Sequence, residues 1–351
     1  MTLKDIAREA GVSVSTVSRI LNGNDSSAAG KETQDKIWKI ARAHGYVPNS
    51  SAQALKYGST NHRQTDRSIA CLFARSADAP NDPFFSVLLR SIEQAALKEG
   101  FIVKYSFSAF DLQAPATVRQ ITDSRVDGVA ILGRCSKETL TFLKEHFKKV
   151  VYSGLNMLDA DYDQIVCDGY AVAYDAMNYL SENGHKRIGY IGETKNEIRY
   201  QAYRNFLRDH RITPDKSIIT NADASSTGGY QGARRILERA EHVTAFFCMN
   251  DITAIGAIKA IQEKGYRIPE DISLIGMDDI ELAQFVSPML TTMHIPIEEM
   301  GKMTAKILID RISGGHTLPM KISLPYYLVN RESCGRALHA DLQPKQKPVV
   351  L

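Results

Sequence analysis

From Ser68 onward the chain alternates short runs rich in Val and Ile with longer amphipathic stretches, and this alternation restricts the fold more than any other feature. Eight runs read as strands: "SIACLFA", "FIVKYSF", "VDGVAILG", "KKVVYSG", "DQIVCD", "RIGYIGE", "AFFCMN" and "ISLIGMDD". Between them, apolar spacing predicts helices over 85–99, 115–124, 136–147, 170–183, 198–210, 229–240 and 252–264. Strands that are apolar throughout must be covered on both faces, so they belong to parallel sheets flanked by helices. The polar stretch "LNMLDADYD" breaks the series into four and four, which predicts two doubly wound α/β subdomains instead of one sheet.

The front of the chain follows a different rule. Thr2 can cap a helix with Asp5 three residues on; Leu3, Ile6, Ala7 and Ala10 form its apolar face, and Gly11 ends it. Ser13 can cap a second helix, "VSTVSRILN", that turns Val17, Ile20 and Leu21 inward and Ser15, Ser18 and Arg19 outward. A third helix is expected from Thr33 to Gly45, with Ile37, Ile40 and Ala41 inward. Two short helices joined by "AGV", with the small Ala7 where they cross, fit a helix-turn-helix. Its second helix would offer hydroxyls to phosphates and its first turn to base edges. A three-helix structural module with a serine-rich surface shares the pattern, but charge favours a polyanion. Residues 1–63 carry nine Lys and Arg against five Asp and Glu, or +4, whereas the whole chain is only +3.

At 351 residues the chain has room for more than one domain. Its five cysteines (71, 135, 167, 248 and 334) are scattered and form no CxxC pair, which predicts reduced thiols with neither a disulfide framework nor a metal site. No apolar run approaches the ~18 residues of a membrane span. "MTLKDIAREAG" lacks the apolar core of a secretory signal, so a soluble, cytoplasmic protein is expected.

"TLKDIAREAGVSVSTVSRILNG" followed by "GYVPNSSAQALKYGST" resembles the head of the lactose/galactose-repressor (LacI/GalR) family of bacterial transcription regulators, and the likeness runs to about residue 335. The fold so implied is a helix-turn-helix head (1–49), a hinge helix and linker (50–66), and a periplasmic-binding-protein-like body (67–340). The N-subdomain would cover about 67–160 and 293–322, and the C-subdomain about 161–290 and 323–340. The chain would then cross between subdomains near 158–163, 290–295 and 320–325. The tail 341–351 is expected to be disordered; without leucine heptads it should not build a tetramer.

The resemblance also implies roles. Val14, Ser15 and Arg19 match base-reading positions, and Thr16, Ser18 and Asn22 match phosphate contacts; Thr2, Asn49 and Ala52 join the DNA-binding set. Val14 and Ser15 are close to the pair in galactose-type repressors, which makes a galactoside operon one candidate. Gln34 stands where the family commonly has Arg, so that contact is not carried over. A leucine at the position of Leu55 is wedged into the minor groove in the family. "SSAQALKYGS" then becomes a marginal helical turn that is ordered only on DNA.

In the body, Arg199, Asn250 and Asp278 match effector contacts, and Phe84 and Phe85 match an aromatic lining position, at the strand ends where such folds bind ligands. The bland alternatives are a surface ion pair for Arg199, core packing for one phenylalanine, and a helix cap for Asp251. The family often has an acidic residue where Gly154 stands, leaving Ser153 or Asn156 as substitutes. A ligand-stacking aromatic falls at about Ala224, with Tyr203 or Tyr230 as replacements. The effector is expected to be a sugar, with no cofactor. A rival within the family is docking of a phosphorylated carrier protein.

Enzyme readings fail on geometry. Asp278 and Asp279 are adjacent at a strand end, point apart and cannot flank one bond. "GYIGE" and "STGGYQG" lack a nucleotide signature. His185 lies before a strand, away from Ser or Cys, and closes a turn. The partners expected are double-stranded operator DNA, a small effector and a second copy of the chain, since one helix-turn-helix reads too few bases. Dimer contacts are expected through the apolar faces of 85–99 and 252–264.

Overall fold

A computed structural model describes residues 2–21, 29–44, 67–74, 82–240 and 242–337. The chain divides into two units, Met1–Gln64 and Thr65–Leu351.

In the first unit Thr2 and Asp5 form the expected capping box on α1 (Leu3–Ala10), and Gly11 closes that helix at φ 74°, a left-handed conformation that suits glycine. Ser13 Oγ accepts the Thr16 N–H at 3.1 Å at the start of α2 (Val14–Leu21). The third helix, α3 (Lys31–Ala43), starts two residues before its expected position. Ile6, Ala7, Ala10, Val17, Ile20, Leu21, Ile37, Ile40 and Ala41 close one small core. Lys36 reaches back to the Ala10 carbonyl at 3.2 Å, placing a cation on the carbonyl end of α1.

The second unit holds two six-stranded sheets. The first lobe contains β1 (Ser68–Phe73), β2 (Ile102–Ser108), β3 (Gly128–Leu132), β4 (Val150–Gly154), β5 (Asp163–Val166) and β11 (Lys321–Ser323), ordered β11-β5-β4-β3-β1-β2. The second contains β6 (Ile188–Gly192), β7 (Ile219–Asn221), β8 (Ala245–Cys248), β9 (Ser273–Asp278), β10 (Thr291–His294) and β12 (Tyr327–Val329), ordered β12-β10-β9-β8-β6-β7. Among the described residues, only the β10–β12 pair is antiparallel. In both lobes the order reverses at one point, beside β1 and β3 in the first and beside β6 and β8 in the second. Ligands of open α/β sheets bind at such switch points.

Helices cover both sheets: α4 (Pro83–Lys98), α5 (Pro115–Asp123), α6 (Lys137–His146) and α11 (Ile297–Ser313) on the first, and α7 (Gly169–Glu182), α8 (Ile198–Asp209), α9 (Ser226–Arg239) and α10 (Asp251–Glu263) on the second.

Two expected boundaries shift. The expected C-subdomain begins before "DQIVCD", but β5 pairs in parallel with β4, from Val151↔Asp163 to Gly154↔Val166. The polar stretch before it is a loop within the first lobe. Gln164 ties that loop down, accepting the Leu158 N–H at 2.8 Å and donating to the Leu158 carbonyl at 2.9 Å. The first crossing therefore falls at Cys167–Asp168. Second, residues 293–294 belong to β10 of the second lobe, where Thr291 pairs with Ile275, so the return crossing lies after His294. Part of the apolar surface of α4 and α10 is used inside the chain, where α11 packs on α4 and α9 packs on α10, while Val87 and Leu97 of α4 stay exposed. Helix α11 itself, with Ile297, Met300, Thr304, Ala305 and Leu308 buried, was missed by the sequence reading.

The α9–α10 contact is backbone on backbone. A Cβ on Gly256 would sit 1.9 Å from the Ser226 carbonyl oxygen, and one on Gly229 equally close to that of Thr253. Gly256→Ala must push the helices apart and is expected to cost at least about 1–3 kcal/mol, measured as a lower denaturant midpoint.

A buried ion cluster fastens β5 to the segment after α11. Asp163 accepts the Arg311 fork through two 2.8 Å bonds, the Met320 N–H at 2.7 Å and His316 Nε2 at 3.1 Å. Burial pushes the Asp163 carboxyl up, but Arg311, Met320 and His316 together hold it below its ordinary value. The hydrogen bond to Asp310, helped by Asp163 and opposed by burial, raises His316 above its ordinary 6.5. A histidine raised on folding stabilises fully below its ordinary pKa, and the contribution is lost as pH rises through the folded value. The melting temperature lost by His316→Asn should therefore be larger at pH 6 than at pH 9, as read by calorimetry.

Candidate functional site

On α2 the predicted DNA-binding residues form an outward face. Val14, Ser15 and Arg19 are exposed, and Thr16 and Ser18 are half-buried. Val14 is 40% exposed, an apolar side chain left uncovered within its own unit. Thr2 is exposed and engaged with Asp5. Gln34 donates to the Ala29 carbonyl at 2.8 Å, so it braces the loop before α3. Asn22, Asn49, Ala52 and Leu55 lie outside the described residues.

Between the lobes of the second unit lies a cleft of about 460 Å³. Four helices begin at its walls, each capped by a side chain that also lines it. Asp82 accepts the Phe84 N–H on α4, and Asp168 accepts the Tyr170 and Ala171 N–H groups on α7. Glu197 accepts the Arg199 N–H on α8, and Asn250 accepts the Thr253 N–H on α10. The carboxyl ends of the strands thus present carboxylates and an amide already fixed by helix caps.

All five predicted effector residues, Phe84, Phe85, Arg199, Asn250 and Asp278, line this cleft. Phe84 and Phe85 meet edge to face at 5.1 Å, and Phe85 meets Phe73 likewise at 6.2 Å. Both phenylalanines are core and lining at once. Arg199 is no surface ion pair: it is 3% exposed, donates from Nε to Glu197 at 2.6 Å and from Nη1 to the Met249 carbonyl at 2.7 Å. Burial opposes its charge, but Glu197 more than offsets this and keeps the guanidinium protonated.

Asp278 has φ 122° and Asp279 φ 59°, conformations rare for non-glycine residues and concentrated at functional sites. The twist sends the two side chains apart, Asp278 into the cleft and Asp279 onto Arg331 (2.6 Å) and His294 (2.9 Å). Asp251 is neither cap nor lining residue. Its carboxylate accepts Thr292 Oγ1 at 2.6 Å and the Ile280 N–H at 3.0 Å, and burial raises its pKa.

The proposed substitutes resolve unevenly. Asn156 lines the cleft and accepts from the Tyr152 hydroxyl at 3.0 Å, whereas Ser153 is buried and outside the lining. Tyr203 and Tyr230 are likewise outside it; their hydroxyls bond the Ile188 carbonyl and Glu263. Tyr170, which sequence reasoning passed over, is the lining aromatic from the second lobe. Arg134, Asp168 and Glu197 were missed as well. Their signal was position: Arg134 lies two residues past a strand end, and Asp168 and Glu197 cap helices. His185 bonds Thr244 and the Gly335 carbonyl, as a turn-closing residue should.

Among the described residues there is no cluster able to hold a metal ion, and no helix is long and apolar enough to cross a membrane.

Residues 2–49 match the model for bacterial regulatory proteins of the lacI family, and residues 177–334 match a periplasmic binding protein-like domain. The HTH-type transcriptional repressor MelR of Bacillus subtilis is 30% identical over 95% of this chain and 97% of its own. The transcriptional regulator CelR–cellobiose complex superposes with a TM-score of 0.68 at 26% identity, covering 95% of this chain and 99% of that one. The lac repressor dimer bound to operator and the anti-inducer ONPF gives 0.75 at 23% identity, with the same coverage, and speaks for the fold.

Proposed function

Because the chain belongs to the lacI family of bacterial regulatory proteins, a family of DNA-binding transcriptional regulators and not of enzymes, we propose that it is a cytoplasmic, homodimeric repressor of a sugar-utilisation operon, released from a palindromic operator by a small sugar. The observation that carries the ligand half is the cleft itself. It brings a buried guanidinium, an amide and carboxylates together with two phenylalanines and a tyrosine. Paired donors and acceptors beside aromatic faces suit a polyhydroxylated ring. The cellobiose held by the similar regulator CelR supports a sugar.

On DNA, Arg19 and Ser15 supply base-edge hydrogen bonds and the exposed Val14 an apolar contact suited to a thymine methyl. Thr2, Thr16, Ser18, Asn22 and Asn49 hold the phosphates, and Ala52 and Leu55 enter the minor groove. Dimer contacts fall to exposed apolar side chains: Val87 and Leu97 of α4 with Ile102 on the first lobe, and Leu282, Phe285 and Met289 on the second. Effector closes the cleft, the first lobes of the two protomers shift, and the hinge turns separate.

A thermal-shift screen of monosaccharides, disaccharides and nucleosides tests the ligand half. A sugar at 100 times its dissociation constant should stabilise the protein by about 2.7 kcal/mol. Stabilisation by nucleosides and by no sugar would overturn the effector class while leaving the DNA half standing.

A further inference from the structure

Arg134 lies in the first lobe, two residues beyond β3, yet its guanidinium bonds the second lobe. Nη2 meets Glu193 Oε2 at 2.6 Å, Nη1 meets Glu197 Oε2 at 3.3 Å, and Nη1 also donates to the Asn196 carbonyl. The left-handed backbone of Asn196, φ 52°, lets the 193–197 turn present a carbonyl and two carboxylates on one side. Glu197 is 4% exposed, and its oxygens are divided: Oε1 takes Arg199 at 2.6 Å, Oε2 takes Arg134. A single buried carboxylate therefore joins the ligand-facing guanidinium of one lobe to a guanidinium of the other.

Charge-assisted forks of this kind have strict geometry. When the lobes part, Arg134 must give up all three acceptors, and Glu197 keeps only Arg199 from this set. Glu193 and Arg134 are partly exposed, so their share is screened by salt and modest, while the Glu197 share is not. The combination is weak enough to open and specific enough to matter.

We propose that Arg134 is a positioning residue of the ligand site that acts from the opposite lobe: by holding Glu197 it sets the Arg199 guanidinium only when the lobes are closed. Ligand recognition and closure then become one equilibrium. This rests on the reading of the cleft as a ligand site, so the test uses the full chain without ligand. Spin labels carried by noncanonical amino acids at the exposed Lys137 (first lobe) and Arg208 (second lobe) report lobe separation, and the Arg199 Nε–H resonance reports the guanidinium. Arg134→Gln should shift the label distances to longer values and speed solvent exchange of the Arg199 Nε–H about tenfold. Glu193→Gln should act in the same direction and less. Arg134→Lys, which keeps charge without the fork, should fall between. Unchanged distances in folded Arg134→Gln would overturn the closure role, and an unchanged Arg199 resonance would overturn the positioning role. A failed sugar screen would bear on the ligand class alone.

Discussion

Replacing Arg199 with alanine is expected to weaken effector binding by about two orders of magnitude while leaving operator affinity in the absence of effector unchanged. A guanidinium carries five donors. Glu197 and the Met249 carbonyl take one each and fix the guanidinium on the wall of the cleft that Arg199 lines. A buried ligand oxygen left without its charged donor loses the bond and keeps its desolvation penalty, which is why the loss is large. Full release of operator needs the two states to differ in effector binding by about 5.5 kcal/mol, so a loss of about half of that leaves the repressor on DNA. The substitution also takes from Glu197, 4% exposed, its 2.6 Å bond to the Arg199 side chain, and should lower stability by up to about 3 kcal/mol. Calorimetric titration with the best sugar from the screen, beside a melting curve, separates the two effects. A folded Arg199→Ala protein with wild-type sugar affinity would show that the effector sits elsewhere.

The second large effect is expected at Leu55, in the expected hinge and linker segment 50–66. An apolar wedge in the minor groove removes its surface from water, worth about 1.5–3 kcal/mol for a leucine side chain, and supports a kink that widens the protein–DNA contact. Leu55→Ala should reduce operator affinity by about ten- to hundredfold per wedge. It should spare effector binding, because the cleft residues all come from Asp82 onward. Fluorescence anisotropy with operator duplex at fixed salt is the measurement, since phosphate contacts alone make the affinity salt-dependent. Equal affinities for wild type and variant would remove the wedge from the mechanism.

The legible parts of this protein were those governed by local periodicity. Capping residues and apolar spacing put α1 and α2 in place and turned Ser15 and Arg19 away from the core, because those signals act within a turn or two of chain. Continuous apolar strands forecast parallel sheets for the same reason. Sheet membership was less legible. The segment Asp163–Val166 is apolar enough for either lobe, and what keeps it in the first is its pairing with β4 together with the Arg311 fork on Asp163, partners more than a hundred residues apart for the latter. Helix α11 carries an ordinary amphipathic pattern, yet its place against α4 depends on Gly301 allowing close approach to Ser91.

The candidate site divides along the same line. By itself, the sequence determined a helix-turn-helix with a polar reading face, an α/β body, and Arg199, Asn250 and Asp278 at strand ends and helix starts, since each follows from local pattern or motif. Only the tertiary structure decided that Asn156 and Tyr170 line the cleft where Ser153, Tyr203 and Tyr230 do not, and that Arg134 reaches Glu193 and Glu197 across it. Those outcomes depend on how two sheets, each built from distant stretches of chain, turn their carboxyl ends toward one another. No spacing along a single strand or helix records that geometry.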